Sequence, residues 1–170
     1  TSEQKFSDID MDRSAKKKVI VSAICKKPDG GYHIADAAFH PNNLVENSQL
    51  SVCFKQAPQQ IDGERETLMI AYMKTVYERI LENKECLKEG NHIVYIARPS
   101  GWVEEETKEL YRKMAIQAGI PLGGLTSESR AAIFYAMSPN VGFSKIVTQG
   151  AIVFDLGSST LDFTYLSDNI

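Results

Sequence analysis

The chain has 170 residues, with 19 basic and 22 acidic side chains and a formal net charge of −3 at pH 7. That length sets about one domain with a core that needs no covalent staples, and the near-even charge sum excludes a dedicated nucleic-acid binder, which carries a basic excess. Hydrophobic residues at 43% and charged residues at 24% exclude a wholly disordered chain, and no apolar run approaches the roughly 18 residues that span a bilayer.

Residues 1–18 are polar and close with Lys16-Lys17-Lys18, which predicts a flexible leader with a solvated basic flank. The β-branched run Val19-Ile20-Val21-Ser22-Ala23-Ile24 predicts a strand. Pro28-Asp29-Gly30-Gly31 then reverses the chain, and Tyr32-His33-Ile34-Ala35 returns as the second strand of a hairpin. Periodicity is weakest over 36–60, where Pro41-Asn42-Asn43 and Ala57-Pro58-Gln59 mark loops and residues 50–55 fit either a short strand or a helical turn. Asp62-Gly63 opens the clearest helix. Leu68 and Met69, Tyr72 and Met73, Val76 and Tyr77, Ile80 and Leu81 recur in steps of four on one face. Asp62 suits the cap, Lys84 and Lys88 suit the negative end of the dipole, and Gly90 is the expected stop.

Residues 92–97 read as a strand and Pro99-Ser100-Gly101 as a turn. Glu104, Glu105 and Glu106 fall in the first turn of the next helix, Leu110, Met114 and Ile116 give it an apolar side, and Gly119 with Pro121 ends it. Residues 120–125 fit a connection or a strand. Ser127 can cap a small-residue helix through Ala131, Ala132, Tyr135 and Ala136. Ala151-Ile152-Val153-Phe154 predicts a strand buried on both faces, whereas Leu161, Phe163 and Tyr165 alternate with Thr160, Asp162 and Thr164 as in a strand with two different faces. Strands alternating with helices and closing on a hairpin predict an α/β fold over 19–170.

The sharpest candidate for chemistry is Asp155-Leu156-Gly157-Ser158-Ser159-Thr160-Leu161-Asp162. An apolar strand ends in a carboxylate, turns through glycine and hydroxyl residues, and leaves as a second strand. Backbone N–H groups in such a turn can cradle a phosphate, Gly157 permits close approach, and a strand-end carboxylate can hold a hydrated Mg²⁺. A plain hairpin with a polar turn satisfies the same local pattern. Elsewhere, His33, His40 and His92 with Cys25 and Cys53 match no zinc-ligand spacing. The odd, widely spaced Cys25, Cys53 and Cys86, with no secretory apolar segment at the start, predict reduced thiols in a cytoplasmic protein and no disulfide framework.

The segment from Asp155 to Phe163 resembles the second phosphate-binding hairpin of the actin-like ATPase superfamily, whose fold is ribonuclease-H-like, and most closely that of the 70-kDa heat-shock chaperone family. Ser127-Glu128-Ser129-Arg130-Ala131-Ala132-Ile133 resembles the family's Asn-Glu-Pro-Thr-Ala-Ala-Ala segment, which precedes that hairpin. Residues 94–102 are similar to its Val-Thr-Val-Pro-Ala-Tyr-Phe strand and turn, and Ala118-Gly119-Ile120 to the Ala-Gly-Leu that ends its next helix. Ala35-Asp36-Ala37-Ala38 and Pro41-Asn42-Asn43 resemble its Gly-Asp-Ala-Ala and Asn-Pro-Thr-Asn signals, and Val52-Cys53-Phe54-Lys55 the stretch with its catalytic lysine.

This resemblance implies an incomplete actin-like ATPase domain, mostly one lobe, with the second phosphate hairpin at its C-terminal end. Asp155 would lie near Mg²⁺ and the attacking water, Thr160 on the γ-phosphate, and Glu128 in the metal's hydration shell. Lys55 would stabilise the γ-phosphate, and Gly157, Ser158, Ser159 and Asp162 would line the nucleotide. Pro99 matches the family's hinge proline. The implied parent is a divergent chaperone that uses ATP and Mg²⁺ to drive binding of unfolded polypeptide with co-chaperones, without nucleic acid or membrane. The excised lobe is expected to be inactive alone, to carry no ATP, ADP or Mg²⁺, and to self-associate through exposed edges. Ser158 and Ser159 replace family glycines, Ser129 replaces the proline, Arg130 the threonine, and Arg98 a valine. These changes also fit a non-catalytic binding module on the same scaffold, and a filament-forming or sugar-phosphorylating relative is a further reading.

Overall fold

The computed structural model describes residues 9, 11, 20–138, 150–156 and 161–166. Among them the fold is mixed α/β, with three α-helices and small sheets. The chain divides into two compact units, the first made of the described residues of Asp8–Ile93 with Glu109–Leu122, the second of Val94–Lys108 with the described residues of Gly123–Ile170. The predicted leader falls largely outside the described residues.

The first unit is built on a three-stranded antiparallel sheet in the order β2-β1-β3, from β1 (Ile24–Lys26), β2 (Tyr32–Ile34) and β3 (Gln49–Ser51). Ile24 pairs with Ile34 on one side and Ser51 on the other. The hairpin reverses as expected: Lys27 N–H donates to Gly31 O at 2.8 Å, and Gly30 takes φ +86°, where glycine alone is unstrained. The Asp29 carboxylate accepts from Gly31 N–H at 2.8 Å and sits 3.1 Å from Lys27 Nζ, and the backbone bond first, then the lysine, holds its carboxyl below the ordinary value.

The strand expected over 19–24 is shorter and later. Ladder pairing needs a partner, and β2 ends at Ile34 because Ala35 turns to φ +58° and starts a 3₁₀ segment, Ala35–Phe39. Residues 20–23 therefore lead into β1 as irregular chain that bends at Ser22, with Ala23 N–H donating to Val21 O at 2.9 Å and Ala23 O accepting from Ala35 N–H at 2.9 Å. Residues 50–55 resolve into the end of β3 followed by irregular chain, which carries Phe54 into the core.

Helix α1 (Gly63–Asn83) begins where Asp62 accepts from Arg65 N–H at 2.8 Å. Leu68 and Met69 are buried, and the Tyr72 ring packs on Phe54 with centroids 5.0 Å apart. The stop is earlier than expected. Helix hydrogen bonding closes at Lys84, the short 3₁₀ segment Glu85–Leu87 follows, and Gly90 ends that segment rather than α1.

Tyr72 Oη donates to Val21 O at 3.1 Å, and burial raises its phenol above the ordinary 10.0. The unfolded chain ionises first, so the stability from neutral Tyr72 is full below about pH 10 and is lost as pH rises through the higher folded-state value. Tyr72→Phe is expected to cost about 0.5–1 kcal/mol at neutral pH and to flatten the alkaline loss of stability, as read by urea denaturation across that range.

Helix α2 (Glu105–Gln117) opens on Glu105 and Glu106. Its buried residues are Thr107, Tyr111, Met114 and Ala115, with Ala118 just past its end also buried, while Ile116 is exposed. Steps of four from Met114 reach Ala118, and Ile116, two residues on, points roughly 200° around the helix, which corrects its expected place on the apolar side. The helix ends as predicted: Gly119 takes φ +78° and Ile120 N–H donates back to Ala115 O at 3.2 Å. No helix among the described residues is long and apolar enough to cross a membrane.

Candidate functional site

The second unit gathers the segments that carry the candidate chemistry. It contains β4 (Val94–Arg98) paired with β5 (Leu122–Ser127), helix α3 (Glu128–Ala136), and the antiparallel hairpin of β6 (Ala151–Leu156) and β7 (Leu161–Leu166). Helix α3 packs against β4, β6 and β7. Of residues 120–125, for which the sequence allowed a connection or a strand, 122–125 are strand, and β5 runs on to Ser127.

Each segment has a local cause. After β4, Pro99 is buried and its carbonyl accepts from Trp102 N–H and from the Arg98 guanidinium, both at 3.1 Å, which fixes the turn. Ser127 caps α3 as expected, its Oγ accepting from Arg130 N–H at 3.2 Å. That puts Glu128 in the first helical turn, where the dipole favours a carboxylate. Two residues past the cap, Ser129 is buried with 1% of its surface exposed. Its Oγ lies 2.7 Å from Ser100 Oγ and 3.4 Å from Ser127 Oγ, and it accepts from Thr164 Oγ1 at 2.7 Å. One hydroxyl therefore joins the Pro99 turn, the start of α3 and β7.

The hairpin register sets Asp155 directly opposite Asp162, and Val153 opposite Thr164. Period two puts Asp155, Asp162 and Thr164 on one face, and the Thr164–Ser129 bond identifies it as the face toward α3. Asp162 Oδ1 lies 3.8 Å from where a side chain on Gly101 would begin. Its Oδ2 is buried and has no hydrogen-bond partner. Like charges directly opposite on a sheet repel, and an unpaired carboxylate oxygen withheld from water is costly. A hydrated divalent cation relieves both, since Mg²⁺ takes one or two carboxylates and completes its shell with water and phosphate oxygens. Asp155 and Asp162 fit that donor set. No group of three or more His, Cys, Asp or Glu side chains able to hold a metal occurs among the described residues.

The hairpin corrects one expectation. β6 is a strand, but it is not buried on both faces: Ile152, Phe154 and Leu156 are exposed. In β7 the two predicted faces exist, and the apolar one, Leu161, Phe163 and Tyr165, faces solvent.

Of the sequence-derived site residues, the second unit holds Pro99, Glu128, Asp155 and Asp162. Gly157, Ser158, Ser159 and Thr160 lie outside the described residues. Lys55 belongs to the first unit, exposed on the irregular chain after β3. The Ser129 hub was missed by sequence reasoning. Its signals were a serine two residues past the cap and Thr164 two residues beyond Asp162, hence on the same strand face. Comparison with family models, with curated proteins and with solved structures gives no significant match.

Proposed function

We propose that this chain forms part of the ATP-binding domain of a divergent 70-kDa heat-shock-like chaperone, with an actin-like, ribonuclease-H-like ATPase fold, working in the cytoplasm on unfolded polypeptide with co-chaperones. The observation that carries the reading is the Asp155–Asp162 carboxylate pair at the base of a turn whose sequence resembles a phosphate-binding hairpin. The junction of the Pro99 turn, the Glu128 helix and β7 at Ser129 adds support, because the three motif-bearing segments meet there.

In this reading Asp155 and Asp162 hold the metal, Glu128 contributes through its water shell, and Gly157, Ser158 and Ser159 offer backbone and hydroxyl donors to phosphate. Thr160 contacts the γ-phosphate. Bound Mg²⁺ supplies charge neutralisation, the main demand of phosphoryl transfer. Pro99, with its carbonyl held by two donors, transmits nucleotide state through Ser100 and Ser129.

Mg-ATP turnover by the full-length protein, beside Asp155→Asn, tests the proposal. Turnover is expected, and the substitution is expected to lower it by at least roughly 100-fold. Turnover that Asp155→Asn leaves unchanged overturns the site assignment. ATP binding without turnover in the folded protein favours the non-catalytic module, a reading that the serines at 158 and 159, in place of family glycines, also fit.

A further inference from the structure

We propose that the outward face of the β6–β7 hairpin is an interface between two copies of this chain, packed sheet on sheet. Three cross-strand pairs make up this face: Ile152 with Tyr165, Phe154 with Phe163, and Leu156 with Leu161. None of the six carries a charge, and their exposures run from 48% at Leu161 to 76% at Leu156. At the centre the Phe154 and Phe163 rings meet edge-on, with centroids 4.6 Å apart at 86°.

The area decides the scale. Aromatic side chains each cover about 150–250 Å² when buried, so six large side chains with half to three quarters of their surface free offer on the order of 700–800 Å². That reaches the roughly 800 Å² per partner of a standard specific interface. A face this large on a monomer is above the usual patch size of about 300–600 Å².

The chemistry selects a second copy as occupant. The face has no charge or hydrogen-bonding group along its centre with which to choose a different protein, and only the Tyr165 hydroxyl at one end is polar. A two-fold axis through the Phe154–Phe163 pair sets an identical row against it, apolar on apolar, at the ~10 Å spacing of stacked sheets. The net charge of −3 opposes association only weakly. Among the described residues the hairpin is a two-stranded sheet, which by itself is marginal in water, and a second sheet over its open face adds a layer. Among the described residues, α3 packs on the opposite face, through the Thr164–Ser129 bond.

Sedimentation equilibrium of the 170-residue chain, from micromolar to submillimolar concentration, tests the proposal. A monomer–dimer equilibrium is expected. Phe154→Lys should weaken it by at least roughly tenfold, about 1.4 kcal/mol, and Val52→Lys, an exposed apolar position in the first unit, should leave it unchanged. Tyr165→Thr, which keeps a good strand former, gives the same test should the lysine variant fail to fold. Monomer throughout the range overturns the proposal, as does an assembly that both hairpin variants leave intact.

Discussion

Phe54→Ala is expected to destabilise the first unit by about 3–5 kcal/mol, the usual cost of deleting a buried phenylalanine. Phe54 is 1% exposed and is the largest fully buried side chain described. It sits on irregular chain between β3 and the 3₁₀ segment Pro58–Gln60, so no ladder holds the backbone around it. Its ring is what fastens that segment to Tyr72 of α1. The void left by alanine has two sources of loss: the transferred apolar surface and the dispersion contacts of its lining. Against a total stability of about 5–15 kcal/mol for a domain, a loss of this size leaves α1 weakly docked. Urea denaturation followed by circular dichroism should show the midpoint falling with little change in slope, and Phe54→Leu should recover part of the loss.

Ser129→Ala should cost about 2 kcal/mol, more than an ordinary serine substitution. The buried hydroxyl is bonded to the partly buried Ser100 and Thr164, and its removal takes their shared partner from both. Each bond contributes about 1 kcal/mol. Ser129 is the second residue of α3, a position where proline is tolerated. Ser129→Pro should therefore lose about as much as Ser129→Ala. A much larger loss for proline would assign the effect to the backbone instead. Hydrogen exchange at the first turn of α3 and in β7 localises the change.

What was legible in the sequence was what local chemistry determines. The Pro28–Gly31 reversal, the Asp62 and Ser127 caps and the Gly119 stop follow from residue types whose φ preference or side-chain oxygen acts within a few residues. The strand at 19–24 moved because pairing depends on a partner that Ala35 cuts short, and nothing within the run itself encodes that. The α1 end was misplaced for a similar reason. Gly90 does take positive φ, but for a 3₁₀ segment that stands between it and the helix. Period two put Asp162 and Thr164 on one side of β7, yet which side α3 covers is a tertiary outcome. The run Ala151-Ile152-Val153-Phe154 looks the same to a reader whether one face or both are covered. The Asp155–Asp162 opposition depends on hairpin register. The Ser129 hub depends on the approach of chain segments 29 and 35 residues away; local pattern marks the hydroxyls at Ser129 and Thr164 but not that they meet.

The three thiols divide by accessibility. Cys25 is buried in the central strand of the first unit, while Cys53 and Cys86 are exposed. Thiolate chemistry requires access, so an alkylating reagent should consume two thiols at once and wait for the third. The waiting time measures how often β1 becomes open to solvent, and its dependence on reagent concentration separates the frequency of opening from the rate of reaction. The fold thus contains its own clock for the first unit, one residue from the strand's start and in need of no added label.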